Sequence, residues 1–440
     1  MTKQRYSVKH TPSFPFENQV DFCVGSGRLG LALQKEYLDE LRFVQEHIHF
    51  KYLRAHGLFC DDIAIFNVYE DAEGKRQIEY NFTYLDRIMD ALLELDIRPF
   101  LEIGFMPEKM ASGEQTIFYW KGNTTPPKDY QEWADLLQAT LSHLVTRYGE
   151  EVYTWPIEVW NEPNLPGFWK DADKEEYFKL FKVSFNAIKE LDARFQVGGP
   201  AICGVDDENW MRDFLNFCRD EDLAIDFVTR HHYTSELPET DGHYSYVKLH
   251  ALDGNMYPIK RSREIMQEYP QFKDLTMHIT EFNTSYVPNA GIHDTNYNAA
   301  YVADLLAKFG QYQTTYSYWT FGDVFEEFGV PHAQFHGGFG MVAHHNIPKP
   351  TFWTFKFFKD IQDGQCILRT ENMILVKTDN AYKGVLWNPT DEKKTILLED
   401  ISEIGEYSLV EKSVDEEHGN PLKVWHDVGE KKYIRQDEIG

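Results

Sequence analysis

The 440-residue chain predicts an α/β fold of the (β/α)8, or TIM barrel, class. Three observations predict it. Eight short apolar runs alternate with eight amphipathic stretches, and the alternation holds as far as about residue 358. The fourth and seventh runs each close on a glutamate, Glu162 and Glu281, at the strand ends that such a barrel gathers into one mouth. Beyond about residue 360 the texture changes to short strands separated by turn residues, a small β-rich module appended to the barrel.

The predicted barrel strands are residues 21–25, 52–56, 98–105, 157–162, 195–199, 226–233, 277–282 and 317–321. Between them lie stretches with apolar residues at i, i+3 and i+4, the spacing of one helix face. Residues 35–46 place Tyr37, Leu38, Leu41 and Val44 on such a face, and residues 82–95 do so with Leu85, Ile88, Met89 and Leu92. The remaining helices are predicted over 130–148, 175–191, 210–219, 259–268, 297–309 and 351–358. The loop 106–128 is long and carries Phe118-Tyr119-Trp120, so it is expected to shape a pocket. Late strands are expected over 366–369, 373–377, 384–387 and 394–398, followed by a charged, weakly patterned stretch from 411 to 440. No repeat or low-complexity tract is evident.

Composition narrows the function classes. With 44 basic against 71 acidic side chains the formal charge is −27, which repels nucleic acid and anionic membrane surfaces and favours a neutral substrate. No run of about 18 apolar residues is present to span a bilayer, and the first ten residues carry no apolar signal region. The cysteines at 23, 60, 203, 218 and 366 are odd in number and scattered, the pattern of reduced thiols in a cytoplasmic protein. Aromatics make up 15% of the chain, a supply of faces on which the C–H surfaces of sugar rings stack.

The chemistry concentrates at strand ends. Trp160-Asn161-Glu162-Pro163-Asn164 follows the run Trp155-Pro156-Ile157-Glu158-Val159, and Glu281-Phe282-Asn283 follows Met277-His278-Ile279-Thr280. Two carboxylates across one mouth are what glycosidic bond cleavage needs: a proton donor for the leaving oxygen and a carboxylate at the anomeric carbon. Glu162 fits the donor, whose pKa an apolar setting and a second carboxylate would raise. Glu281 fits the nucleophile, with Arg54 as the cation that keeps it ionised. Asn161 offers an amide to a sugar 2-hydroxyl. His56 closes strand two. In Arg230-His231-His232-Tyr233 alternation puts His231 and Tyr233 on one side and His232 on the other, so no metal pair is expected there; Tyr233 is placed to donate to the nucleophile. Trp319 is a natural floor for a sugar, and the pair Glu326-Glu327 is read equally well as hydroxyl-binding or solvent-facing. Glu158, on the side of Trp160 and Glu162 but deeper, is expected to be structural and to need a partner.

These motifs resemble glycoside hydrolase family 39, specifically its bacterial β-xylosidases. Further segments carry the likeness: Phe22-Cys23-Val24-Gly25-Ser26-Gly27-Arg28-Leu29-Gly30, Tyr119-Trp120-Lys121-Gly122-Asn123, Gly198-Gly199-Pro200-Ala201-Ile202-Cys203-Gly204, Asp323-Val324-Phe325-Glu326-Glu327 and His336-Gly337-Gly338-Phe339-Gly340. The resemblance implies a clan A barrel and a retaining double displacement with Glu162 as acid/base and Glu281 as nucleophile. It also implies a −1 sugar pocket lined by His56, Asn161, His231, Tyr233, Trp319 and one of Glu326 and Glu327, with Glu327 favoured. The implied substrate is a neutral xylo-oligosaccharide that loses xylose from its non-reducing end; no cofactor and no metal are implied, and a homo-tetramer is a possible assembly. Family members join the barrel to a β-sandwich built from both chain ends. The expected division is therefore 1–15 as an N-terminal segment joining the sandwich, 16–358 as the barrel, and 359–440 as the β-rich accessory domain with a C-terminal extension. Family β-xylosidases run on past the point reached at Gly440, so the sandwich is expected to be incomplete, and His232 stands where the family usually has a small residue. Two other readings compete. An activity on glucosides or uronic-acid sugars is one, though the acidic balance disfavours an anionic substrate; a barrel that binds carbohydrate without cleaving it is the other, opposed by the intact glutamates.

Overall fold

The computed structural model describes residues 2–9, 16–312, 314–401, 408–432 and 434–439. At its centre eight parallel strands close into a barrel in chain order. They are β1 (Cys23–Arg28), β2 (Tyr52–His56), β3 (Arg98–Ile103), β4 (Pro156–Val159), β5 (Gln196–Ile202), β6 (Phe227–Tyr233), β7 (Met277–Asn283) and β8 (Thr314–Tyr318). Closure comes from Ser317 and Tyr318 pairing with Cys23 and Val24. The enclosing helices are α1 (Lys35–His47), α2 (Thr83–Glu94), α3 (Tyr130–Tyr148), α4 (Lys174–Leu191), α5 (Asp207–Asp220), α6 (Tyr257–Gln267), α7 (Asn296–Phe309) and α8 (Pro350–Asp360). Local chemistry fixes where several begin. Asp129, Asp173 and Thr295 accept first-turn N–H groups of α3, α4 and α7, and α6 and α8 carry proline in the first turn, where its missing N–H costs nothing.

The alternation predicted every strand and helix of the barrel, while several boundaries move. β4 stops at Val159 rather than 162, because Trp160 and Glu162 take φ values of +73° and +42° that leave the extended region. That turn also separates Trp160 from Glu158: the indole packs on Phe105 and Trp169, whereas Glu158 faces the barrel interior, so the two do not share a side. β8 occupies Thr314–Tyr318 rather than 317–321, since the β-branched Thr314 and Thr315 pair with Met277 and His278. β3 ends at Ile103, before 105, and β5 runs on to Ile202. β1 covers Cys23–Arg28 rather than 21–25; its glycines, weak strand formers alone, are required because a Cβ on Gly25 would lie 2.4 Å from the Trp319 ring.

The interior is layered. Cys23, Phe100, Phe227 and His278 form an apolar floor; above it lie Arg54, Glu102, Glu158 and Thr280; the mouth carries His56, Glu162, His231, Tyr233, Glu281 and Trp319. One irregularity matters for that mouth. Arg230 pairs with Ile279 but His231 pairs with Glu281, so Thr280 is a bulged residue. Behind the β8–α8 connection, fully buried Lys349 lies 2.6 Å from Asp294 and 2.6 Å from Asp323. Those carboxylates accept the N–H groups of Gly337 and Gly340, and Lys349 donates to the carbonyl of Gly338. The glycine-rich 336–340 segment is thereby pinned to the barrel.

After α8, β9 (Gln365–Arg369), β10 (Met373–Lys377) and β11 (Tyr382–Leu386) form an antiparallel sheet. β12 (Lys394–Glu399) pairs in parallel with an N-terminal strand, Thr2–Ser7. Residues 10–15 of the expected N-terminal segment lie outside the described residues, as do 433 and 440 of the charged tail. That tail is better patterned than its charge indicates: Asn420 caps a short helix, α9 (Pro421–Asp427), which buries Trp425 against Phe335 with ring centroids 5.6 Å apart.

Replacing Lys349 by Met should leave two buried carboxylates without their cation. A stability loss of about 3–5 kcal/mol is expected, read as a lowered urea midpoint at unchanged slope.

Candidate active site

Glu281 reaches the mouth because of the bulge. With Thr280 as the extra residue, two consecutive side chains of β7 face the interior: Thr280 donates to Glu158 (2.7 Å), and Glu281 takes up position above it. Glu162 arrives differently, on the tight turn after β4. Its N–H donates to the carbonyl of Ala201 (3.0 Å), and Asn164 staples the turn to the end of β5 through the backbone of Cys203 and Val205. The result brings an oxygen of Glu162, an oxygen of Glu281 and a ring nitrogen of His231 within 4.8 Å of one another.

The two carboxyls sit in contrasting environments. Glu281 receives Arg54 Nη1 at 2.8 Å on one oxygen and the Tyr233 hydroxyl at 2.7 Å on the other, both stabilising the anion. Among the described residues Glu162 has no cation in contact; its Oε1 lies 2.7 Å from His231 Nδ1. Burial, and then the charge of Glu281, push the Glu162 pKa well above the ordinary glutamate value. Burial, reinforced by Arg54, drives His231 well below the ordinary histidine value, so the ring is neutral. Neutral imidazole and carboxyl therefore share a single proton across the 2.7 Å contact.

Arg54 organises the floor of the site. Fully buried, it donates to Glu158 (2.6 Å), Glu281 (2.8 Å) and Asn161 Oδ1 (2.9 Å) and lies 2.9 Å from Glu102. With its oxygen so engaged, the amide nitrogen of Asn161 is left without a partner among the described residues, as is His231 Nε2. Glu102 also holds His56 Nδ1 at 2.7 Å, which leaves Nε2 facing Glu281 at 3.6 Å. Trp319 packs 4.7 Å from the His56 ring, and Phe118, from the long loop after β3, stacks on His56 from another side at 5.9 Å.

The acidic pair divides cleanly. Glu326 is bound to Arg28 (2.8 Å), whereas Glu327 is buried, and desolvation followed by the charges of Glu281 and Glu162 raises its pKa well above normal. The Glu327 carbonyl accepts the N–H of Tyr119, tying the loop after β3 to the one after β8. His232 points away from the mouth onto Phe309 of α7, as the alternation requires. Glu158 is buried and partnered by Arg54 and Thr280. The Glu162–His231–Glu281 triangle has the residue types of a metal site, but the Arg54 guanidinium already neutralises Glu281 and opposes a second cation there.

Glu102 is the functional residue that sequence reasoning passed over. Its signal was present: a lone carboxylate in the apolar strand Arg98-Pro99-Phe100-Leu101-Glu102-Ile103, the same feature that singled out Glu158. A charge in such a run needs a buried partner, and here it has two.

The family model for glycosyl hydrolases family 39 matches residues 7–440. A β-xylosidase of Geobacillus stearothermophilus is 49% identical over 433 residues, covering 96% of this chain and 85% of the relative. A β-xylosidase of Caldicellulosiruptor saccharolyticus is 35% identical over 434 residues, covering 95% of this chain and 86% of the relative. Among solved structures, a monomeric β-xylosidase from Caulobacter crescentus CB15 superposes with a TM-score of 0.84 at 32% identity, covering all of this chain and 91% of the relative. A family 39 enzyme from Xanthomonas axonopodis pv. citri superposes with a TM-score of 0.85 at 30% identity, covering 99% and 88%.

Glu162 should cost stability at neutral pH. Its folded pKa lies above the unfolded value of about 4.3, so the stability its proton confers is present below that value and lost as pH rises through the folded pKa. Glu162→Gln should therefore be more stable than the wild type near pH 7 by roughly 0.5–2 kcal/mol, with the gap closing towards pH 4 in thermal melts.

Proposed function

The chain belongs to glycosyl hydrolases family 39, and we propose that it is a retaining β-xylosidase that releases β-D-xylose from the non-reducing end of short xylo-oligosaccharides. The observation that carries this reading is the pairing of one anion-stabilised and one proton-retaining carboxyl, with oxygens within 4.8 Å. Retaining enzymes hold their carboxyls about 5–5.5 Å apart, and inverting ones about 6.5–9.5 Å apart to admit a water. The short approach supports retention.

In the first step Glu281 attacks the anomeric carbon while Glu162 gives its proton to the departing glycosidic oxygen. A glycosyl-enzyme ester on Glu281 results. Loss of the leaving group opens space for a water, from which Glu162, now a carboxylate, takes a proton as the water displaces Glu281. Arg54 and Tyr233 hold Glu281 through both of its oxygens. His231 holds the acid/base proton in reach. The free amide of Asn161 is assigned to the 2-hydroxyl, and His56, Trp319 and Glu327 to the rest of the −1 sugar. Glu327, kept neutral by burial, can donate as well as accept.

The two small sheets, one of them built from the N-terminal strand and β12, are assigned to the accessory β-sandwich. A cytoplasmic site of action on imported oligosaccharides fits the five cysteines, all free thiols. For assembly the homo-tetramer is the working expectation and the monomeric Caulobacter relative the alternative; light scattering separates a 51.6 kDa monomer from its tetramer.

The test is hydrolysis of p-nitrophenyl β-xyloside. Wild type should turn it over, and Glu281→Ala should lose on the order of 10³-fold or more, with azide restoring turnover and giving the α-xylosyl azide. Glu162→Ala should spare aryl leaving groups that need no proton and, with azide, give the β-xylosyl azide. A wild type inert on xylosides but active on another glycoside would overturn the substrate, and a single-step inverted product would overturn the mechanism.

A further inference from the structure

A second cluster of ionisable groups lies outside the barrel mouth, where α1 meets the β8–α8 connection. Glu36 and Glu40 stand one turn apart on α1, and His344 faces them from a 3-10 turn between Val342–Ala343 and Ile347–Pro348. Glu40 is fully buried. Its Oε2 accepts the N–H of Val324 at 3.4 Å and packs against Gly322, whose missing Cβ makes the room. Its Oε1 is buried and, among the described residues, has no hydrogen-bond partner. That oxygen lies 3.9 Å from His344 Nδ1, too far for a hydrogen bond, so one of the two Glu40 oxygens is left without a partner among the described residues. A buried carboxyl keeps its charge only where it is paired or binds a cation.

We propose that Glu36, Glu40 and His344 bind a divalent transition cation of the zinc class. Zinc takes imidazole nitrogen and carboxylate oxygen at about 2.0–2.2 Å, which sets tetrahedral ligand atoms roughly 3.4 Å apart. The Glu36 Oε1–His344 Nδ1 and Glu40 Oε1–His344 Nδ1 separations, 3.0 and 3.9 Å, bracket that value, and all three ligand atoms lie within 4.8 Å of one another. Two carboxylates and one imidazole form a mixed oxygen–nitrogen donor set of the kind that suits zinc rather than calcium or magnesium, with water completing the shell. The Glu36 and His344 side chains are 47% and 21% exposed, giving the ion a path from solvent, and the net charge of −27 draws cations in. Bound there, the cation bridges α1 to the His344 turn, while the other oxygen of Glu40 holds the Val324 N–H of the segment that leads to Glu326 and Glu327.

The experiment uses full-length, tag-free protein stripped with chelator, then titrated with ZnCl2 by calorimetry. One site per chain is expected, with a Tm rise of about 3 °C at a hundredfold excess over Kd. His344→Ala and Glu36→Gln, both at partly exposed positions, should keep the wild-type circular dichroism and weaken that site by on the order of 10²-fold. Absence of a stoichiometric site, or a site unchanged in both variants, would overturn the proposal. A site that survives in both but disappears in Glu162→Gln would place the zinc in the catalytic cluster, and would overturn it equally.

Discussion

The guanidinium of Arg54 is the point on which the site depends. Four glutamates, Glu102, Glu158, Glu162 and Glu281, project into one desolvated volume, and among the described residues Arg54 is the cation in direct contact with any of them. It touches Glu102, Glu158 and Glu281 but not Glu162. In a medium that penalises isolated charge, burial raises the pKa of Glu158 in spite of its contact with Arg54, and raises that of Glu162, outside the guanidinium's reach, well above the ordinary value. The division of labour between the two glutamates at the mouth thus follows from which of them Arg54 contacts.

Positioning follows from the same layer. Glu102 uses one oxygen on both Arg54 and His56, so the charge balance of the floor and the orientation of a mouth histidine are set together. Arg54 likewise occupies the oxygen of Asn161 and thereby frees its nitrogen. Groups lining the mouth are held by Arg54 and Glu102 beneath them, on strands rather than loops, where small displacements are resisted by close packing.

The β8 sector is built on a different principle. There the chain must leave the barrel, carry Glu327 over the mouth and return to α8, and the connection is rich in glycine. Lys349 with its two aspartates pins the returning segment from beneath, and the Tyr119 N–H to Glu327 carbonyl contact pins the leading one from the side. Trp319, Phe325 and Phe339 fill the space between as edge-to-face rings. The Glu36–Glu40–His344 cluster lies on the outer flank of this same connection, where a bound cation adds the third restraint.

The sequence by itself determined the fold class and the order of its elements, because both rest on local periodicity: a period of two or a continuous apolar run for strands, 3.6 for helices, repeated eight times. It determined the chemical types at the mouth for the same reason, since a glutamate that ends an apolar strand has nowhere to go but the rim. What it left open depended on contacts between distant residues. The residues alone left Glu326 and Glu327 level, and the resemblance favoured Glu327; the physical difference is Arg28, nearly 300 positions away, which takes Glu326. The inward aim of Glu281 came from the bulge at Thr280, since strict alternation with His278 and Thr280 inside would have turned Glu281 outwards. The placement of Glu162 came from a left-handed turn that strand periodicity cannot encode, and its raised pKa from burial first and then from the charges of Glu281, Arg54 and Glu102 on β7, β2 and β3. Periodicity is local and legible; burial, register shifts and the sharing of one cation among several anions are properties of the closed barrel, and they exist only once it has closed.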